Sequence, residues 1–164
     1  MDCGACEPTV QAVQQHFAFL FSQFGFRLLH CEAAGQGEHC LIVLESEQAR
    51  IKFEVEQGTP VVYFGTLDSP VGWAIQVDGV QVWYALNSLL NFAERKQVEV
   101  APKSSGEPEA TADDLLAQEA ARLQPHAAEL VAAFAPNRPA GWWREYEAYR
   151  AAVIRQIQQR FKSR

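Results

Sequence analysis

The strict alternation of apolar and charged residues from Arg50 to Glu56 constrains the fold of this chain more than any other feature. Successive side chains of a β-strand point to opposite faces, so Ile51, Phe53 and Val55 share one face. A strand with one apolar and one charged face is typical of an antiparallel sheet that meets water on one side. We therefore predict a dry face and a solvent-exposed charged face, the second formed by Arg50, Lys52, Glu54 and Glu56.

Three further segments have the composition of strands, and a hairpin signal follows the last of them. The segments are residues 26–31, 40–45 and 60–65. Asp78-Gly79 stands between two alternating runs, and this pair suits the two positive φ angles of a tight hairpin turn. The runs contain Trp73, Ile75 and Val77 before the turn, and Val80, Val82 and Tyr84 after it. These patterns predict a mainly antiparallel sheet of five or six strands.

Helical periodicity appears on both sides of the predicted sheet. Before Gly25, apolar residues recur at steps of three and four, namely Val10, Val13, Phe17, Leu20, Phe21 and Phe24. Thr111 suits an N-cap, and the apolar stripe that follows it keeps its phase across Pro125, which predicts a kinked helix. A last helix carries a stripe that we expect to pack on the body of the fold: Trp142, Tyr146, Tyr149, Val153 and Ile157.

These elements predict an α+β fold in a single domain, residues 1–164. Residues 1–95 supply an N-terminal helix and the sheet, and residues 111–164 supply an antiparallel helical pair on the same body. Residues 96–110 contain two prolines, two serines and a glycine, and little that could be buried. We predict that this segment is a linker and the most mobile internal part of the chain.

The net charge of −6 is unevenly distributed, because residues 138–164 hold seven bases and two acids. Cations there suit the C-terminal end of a final helix, so they do not call for nucleic acid as a partner. No apolar run approaches the roughly 20 residues of a membrane span. The first nine residues hold two acids and no base, the wrong order for a secretory signal. We predict a cytoplasmic protein of a reducing compartment, with neither nucleic acid nor membrane as a partner.

The four cysteines are the best candidates for a metal site. Cys3 and Cys6 have the two-residue gap that lets two thiolates bind one tetrahedral metal, and Cys31 and Cys40 could complete the set. The last two are eight residues apart, however, which is not the usual second pair of ligands. We therefore expect four free thiols with no bound metal and no cofactor, and Cys31 and Cys40 buried in paired strands.

No catalytic signature is present in the sequence. It lacks Gly-x-Ser-x-Gly, a Gly-rich phosphate loop and His-Glu-x-x-His. His16 and His126 have no partner at metal-ligand spacing, and His30 and His39 form no recognisable triad with a serine or an acid. We predict that the protein is not an enzyme and has no catalytic or cofactor-binding residue.

Trp143 is the candidate binding residue. It lies about 100° round the last helix from Trp142, which belongs to the apolar stripe. One of two adjacent tryptophans is therefore expected to be partly exposed, and tryptophans are enriched where proteins bind one another.

Residues 10–95 resemble a group of small bacterial proteins of unknown function, some of them similar to immunity proteins that neutralise toxins. The resemblance is carried by Phe24-Gly25-Phe26, Leu44-Glu45-Ser46-Glu47, Arg50-Ile51-Lys52-Phe53-Glu54, Val62-Tyr63-Phe64-Gly65 and Trp83-Tyr84-Ala85-Leu86. It carries over no functional residue. The expected function is a non-enzymatic protein-binding module of an immunity-like or regulatory kind, with a homodimer as one form of partner. The alternative is a small-ligand or metal-binding protein that uses the cysteines or a pocket between sheet and helices.

Overall fold

The computed structural model describes residues 1–95 and 109–163. The predicted linker, residues 96–110, lies almost wholly outside the described residues. The helices are α1 (Glu7–His16), α2 (Ala18–Phe24), α3 (Leu86–Ala93), α4 (Ala112–Leu123), α5 (Ala127–Ala133) and α6 (Ala140–Lys162). The strands are β1 (Arg27–Ala34), β2 (His39–Glu45), β3 (Arg50–Glu56), β4 (Thr59–Gly65), β5 (Gln76–Val77), β6 (Val80–Gln81) and β7 (Trp83–Ala85).

Five strands form one antiparallel sheet in the order β1-β2-β3-β4-β7. In its centre Phe53 lies between Ile42 of β2 and Val62 of β4. All three side chains are buried in one core together with residues of α1, α3 and α4. The α+β class and the antiparallel sheet are therefore confirmed.

The N-terminal helix is present but divided. The chain leaves helical geometry at the buried residue Phe17 (φ −99°, ψ 26°), which separates α1 from α2. Gly25 ends α2 with φ +67°, a left-handed conformation that glycine adopts without steric cost. The helical periodicity before Gly25 therefore corresponds to α1 and α2, which end at this glycine.

The C-terminal helices begin and bend where the sequence indicated. The Thr111 hydroxyl accepts a hydrogen bond from the Asp114 N–H, and the Asp114 carboxylate accepts one from the Thr111 N–H. This reciprocal pair is a capping box, and it starts α4. Pro125 lies in a 3₁₀ turn, Gln124–His126, that joins α4 to α5.

The cysteines form two disulfides, Cys3–Cys31 and Cys6–Cys40, so the expectation of four free thiols was wrong. A 3₁₀ turn over Gly4–Cys6 folds back against β1 and β2. It places the paired Cα atoms 5.4 and 5.6 Å apart, within the range that a disulfide spans. Sequence spacing carries no signal of such a reversal of the chain.

The prediction of a solvent-exposed charged face on β3 holds for Glu56, which is exposed, but it is wrong at the centre of the strand. Lys52 is fully buried and Glu54 is only 18% exposed at its side chain, because residues 66–82 lie over this face of the sheet. Val43, the neighbour of Lys52 on β2, is fully buried as well. The sheet is therefore covered on both faces at its centre.

The apolar stripe of α6 packs on the body along half of its length only. Tyr146 is buried, and Trp142 and Tyr149 are packed against the core. Ile157 is 38% exposed, so the expectation that it packs on the body was wrong. The helix continues beyond this packed part, and Ile154, Ile157 and Phe161 in its second half are exposed.

Candidate protein-interaction surfaces

Residues 66–82 end in a hairpin that lies beside the main sheet. Asp78 (φ +51°) and Gly79 (φ +77°) form the turn between β5 and β6, as the Asp-Gly pair predicted. The strands are shorter than expected, and β7 leaves the hairpin to pair with β4 at Tyr63 to Gly65. The hairpin is thus a separate two-stranded ribbon, attached to the face of the sheet that carries Lys52.

Lys52 fastens the segment to the sheet. Its ammonium donates hydrogen bonds to the carbonyl oxygens of Gly72, Trp73 and Ala74 at 3.2, 3.4 and 3.4 Å. The same Nζ lies 2.7 Å from Glu54 Oε1. Burial lowers the pKa of Lys52 below its usual 10.5, while the Glu54 carboxylate opposes that shift. The buried ammonium therefore has three carbonyl oxygens and one carboxylate oxygen as partners.

Two aromatic rings complete the surroundings of this ammonium. Nζ lies 4.9 Å from the centre of the Tyr63 ring and 5.1 Å from that of Trp83, close enough for cation–π attraction. Trp83 in turn donates its indole N–H to the Pro70 carbonyl at 3.0 Å. These contacts explain why a lysine is tolerated inside the protein. Through them Lys52 holds the backbone of residues 72–74 against the sheet.

The beginning of the segment 66–82 is also held by hydrogen bonds, at Ser69. The Ser69 hydroxyl donates to the Val82 carbonyl at 2.7 Å, and Arg50 donates to the Ser69 carbonyl at 2.6 Å. A Cβ at Gly65 would lie 2.5 Å from Ser69 Oγ, so this close approach requires glycine. The base of the hairpin is therefore held on both sides by specific contacts.

The outer face of the hairpin is apolar and exposed. Val77 pairs with Val80, and the Val82 N–H donates to the Ile75 carbonyl, so these four side chains share one face. Ile75, Val77 and Val80 are 42%, 43% and 65% exposed, and Trp73 is 38% exposed. We call these five residues the hairpin face: Trp73, Ile75, Val77, Val80 and Val82. An apolar face that remains in water is a candidate binding surface.

Trp143 lies in an aromatic cluster between α6 and the body. Its indole N–H donates to the Ala133 carbonyl at 2.7 Å, and its ring meets those of Phe134 and Tyr84 edge-on. The Arg138 guanidinium lies 4.0 Å from the ring centre. The ring is only partly buried, and its binding role stays a prediction.

A cleft of about 320 Å³ lies between α3 and α6. Asn87, Ser88 and Asn91 line it from α3, and Tyr149 and Val153 line it from α6. The Ser88 hydroxyl is hydrogen-bonded to the Tyr146 phenol at 3.1 Å, and burial raises the pKa of that phenol.

Arg122 of α4 holds one wall of this cleft in place. Its guanidinium donates to the side-chain oxygens of Asn87 and Asn91 and forms an ion pair with Glu94 at 2.9 Å. The cleft is thus a polar wall on α3 that faces the partly apolar surface of α6.

Past the cleft, which Ile154 still lines, the second half of α6 is exposed on all sides. Ile154 and Phe161 are 50% and 74% exposed, and Ile157 lies between them on the same side of the helix. We call these three residues the α6 stripe. The sequence showed the periodicity of this helix but carried no sign of where the body of the fold ends beside it.

Three of the four histidines lie beside acids near the surface. His16 Nε2 lies 2.9 Å from Asp113, His30 lies 3.4 Å from Glu32 and His39 lies 3.8 Å from Glu56. Across residues 1–95 and 109–163, no three His, Cys, Asp or Glu side chains converge as metal ligands would. The four candidate ligands Cys3, Cys6, Cys31 and Cys40 are joined to one another instead.

No helix in the described parts of the chain combines the length and the apolar character that a membrane crossing requires. Comparison with protein-family models, with curated proteins and with solved structures finds no match to this chain.

Proposed function

We propose that this protein is a non-enzymatic protein-binding module of an immunity-like or regulatory kind, and that the hairpin face is its contact surface. The observation that carries the proposal is an apolar face in water on a segment that is otherwise firmly attached. A loop that exposed these residues by chance would not be held by the buried Lys52 ammonium and by Ser69 and Trp83. A rigid surface loses little conformational entropy when a partner binds.

The chemistry of the segment indicates the kind of partner. Residues 66–82 contain two acids, Asp68 and Asp78, and no base. The partner should therefore offer an apolar patch with cationic or neutral residues around it. Trp73 is the expected anchor, because large aromatic residues dominate the energy of protein interfaces.

We also propose that the chain folds in an oxidising compartment, in place of the cytoplasmic location that its first residues suggested. Two disulfides support this proposal, because such bonds persist outside the cytosol and are rare within it. An immunity-like role remains compatible with such a location.

The second candidate function is small-ligand binding in the cleft between α3 and α6. Its support is the convergence of Asn87, Asn91 and Tyr149 on one cavity of about 320 Å³. Pockets for small molecules usually combine apolar walls with a few placed polar groups. The metal-binding form of this alternative is not retained, because the cysteines are paired with each other.

The hairpin face is tested by a double substitution, Ile75→Ser with Val80→Ser. A partner is first isolated with the tagged wild-type chain and identified, and its Kd is then measured by titration calorimetry. Loss of two exposed apolar contacts is expected to raise this Kd about 10- to 100-fold. Gln76→Ser, on the opposite face of β5, is the matched control and should leave the Kd within about twofold.

Two results would contradict the proposal. One is an unchanged Kd for the double variant, provided that its melting curve matches that of the wild type. The other is self-association as the sole interaction, detected by sedimentation and lost in the double variant, which would make the hairpin face a homodimer interface.

A further inference from the structure

The second half of α6 presents three apolar anchors at the spacing used by helices that enter a groove. Ile154, Ile157 and Phe161 stand at i, i+3 and i+7, and the structure leaves all three exposed. At about 100° per residue they fall within roughly 60° of the helix circumference. This narrow stripe is the pattern by which amphipathic helices fit an apolar groove on another protein.

Positive charge flanks the stripe. Arg155 and Lys162 lie on one side of it and Arg160 lies on the other, and residues 148–163 contain no acid. All three basic residues are exposed in the structure. Gln159 lies opposite the stripe, with Arg155 on the side of Lys162 and Gln156 on the side of Arg160, so positive charge stands on both sides of the apolar line.

We propose that this half of α6 is a second docking element, which inserts into an apolar groove with an acidic rim on another protein. The inference is independent of the hairpin face, because the two surfaces share no residue. It also explains the unusual length of α6, whose first half is sufficient to pack the aromatic cluster on the body.

The helix is ready for such an interaction before the partner arrives. Its first half is fixed by Tyr146 and Trp143 against Phe92 and Phe134, so the second half extends from an anchored helix. The entropy cost of ordering the helix then arises when the protein folds and not when the partner binds.

Charge and shape favour an acidic groove over the two other partners that could cover this stripe, a second copy of the chain and a membrane surface. A second copy of α6 on the same stripe would bring Arg155, Arg160 and Lys162 close to identical cations without any acid to pair with them. A helix that lies in a membrane surface buries a broad apolar face. Here Gln158 adjoins the stripe next to Ile154, which keeps that face narrow.

The test uses calcium-loaded calmodulin as the probe, because it presents a Met-lined groove with acidic surroundings and adapts to many basic amphipathic helices. Binding of the full chain is measured by fluorescence anisotropy. We expect saturable binding that weakens at least tenfold with Phe161→Ala and weakens as NaCl rises from about 0.1 to 0.5 M. Gln159→Ala, on the back of the helix, should change the Kd by less than about twofold.

Two further measurements, vesicle binding and sedimentation, distinguish a membrane surface and a second copy of the chain from the proposed groove. Absence of saturable binding to calmodulin, or equal binding by the Phe161→Ala variant, would overturn the proposal. Tighter binding to vesicles of equal phosphatidylcholine and phosphatidylglycerol would replace it with a membrane surface. A dimer in sedimentation that Phe161→Ala dissociates would replace it with a second copy of the chain. Ile154→Ser serves as a second variant, and circular dichroism checks that each variant keeps its helix content.

Discussion

Removal of the Cys6–Cys40 disulfide by the double substitution Cys6→Ser and Cys40→Ser is expected to lower the free energy of unfolding by about 3–4 kcal/mol. The bond joins residues 34 positions apart, so it restricts a large loop in the unfolded chain. Both cysteines are also buried, Cys6 completely. The two serine hydroxyls would therefore be buried, which lowers the stability of the folded state further. The effect is large because a domain of this size has only about 5–15 kcal/mol of stability in total.

Urea melts of the double variant and of the wild type, each with and without reductant, measure this loss. The Cys3→Ser/Cys31→Ser variant is the matched control, because its bond closes a loop of similar length, with a separation of 28 residues. Reductant should destabilise the wild type more than either double variant, since each variant has only one bond left to lose. Four titratable thiols in the unreduced, denatured protein, with a melt insensitive to reductant, would refute the paired arrangement.

Replacement of the buried lysine has the second large effect. Lys52→Ala is expected to cost about 3–5 kcal/mol, the range found when one partner of a buried ion pair is removed. The change leaves the Glu54 carboxylate without its cation and the carbonyls of Gly72 to Ala74 without a donor. Urea melts at pH 7 give the loss. Hydrogen exchange should show faster opening of the β5–β6 amides, because their anchor is gone.

The matched control keeps the volume and removes the charge. Lys52→Met combined with Glu54→Gln should lose clearly less stability than Lys52→Ala, because no unpaired ion is left beside the sheet. A cost below about 1 kcal/mol for Lys52→Ala would show that the lysine does not hold the segment, since exposed ion pairs contribute about that much or less.

The lowered pKa of Lys52 also fixes the sign of a pH effect. Between its folded-state pKa and the usual 10.5, the unfolded chain binds more protons at this residue than the folded chain does. The contribution of Lys52 to stability therefore rises with pH across that window. The slope assigned to Lys52 is the difference between wild type and Lys52→Met, because the buried tyrosines have raised pKa values and act in the opposite direction above pH 10.

The fold was largely predictable because local signals were strong. The Arg50–Glu56 alternation, the Asp78-Gly79 turn and the Thr111 cap all depend on residues close in sequence, and the structure contains each of them. Periodicity also located α6 correctly. What it could not show is which face of a correctly predicted element is covered.

The wrong predictions have one physical origin. Whether a residue is covered or paired depends on parts of the chain that are distant in sequence. Lys52 looked exposed because the segment that buries it begins 14 residues later. The cysteines looked unpaired because nothing near Cys3 shows that the terminal turn returns to β1. Ile157 looked buried because its stripe continues that of Tyr146 without a break in pattern.

Contact between the hairpin face and another protein is tested by photo-crosslinking from the two sides of the hairpin. A photoreactive amino acid is placed at Val80 on the apolar face, and in a second chain at Gln76 on the polar face. Both chains are expressed in the source cells and irradiated. We expect a covalent adduct with one distinct protein from position 80 and little or none from position 76. Equal yields from both positions, or adducts only within the chain itself, would contradict it.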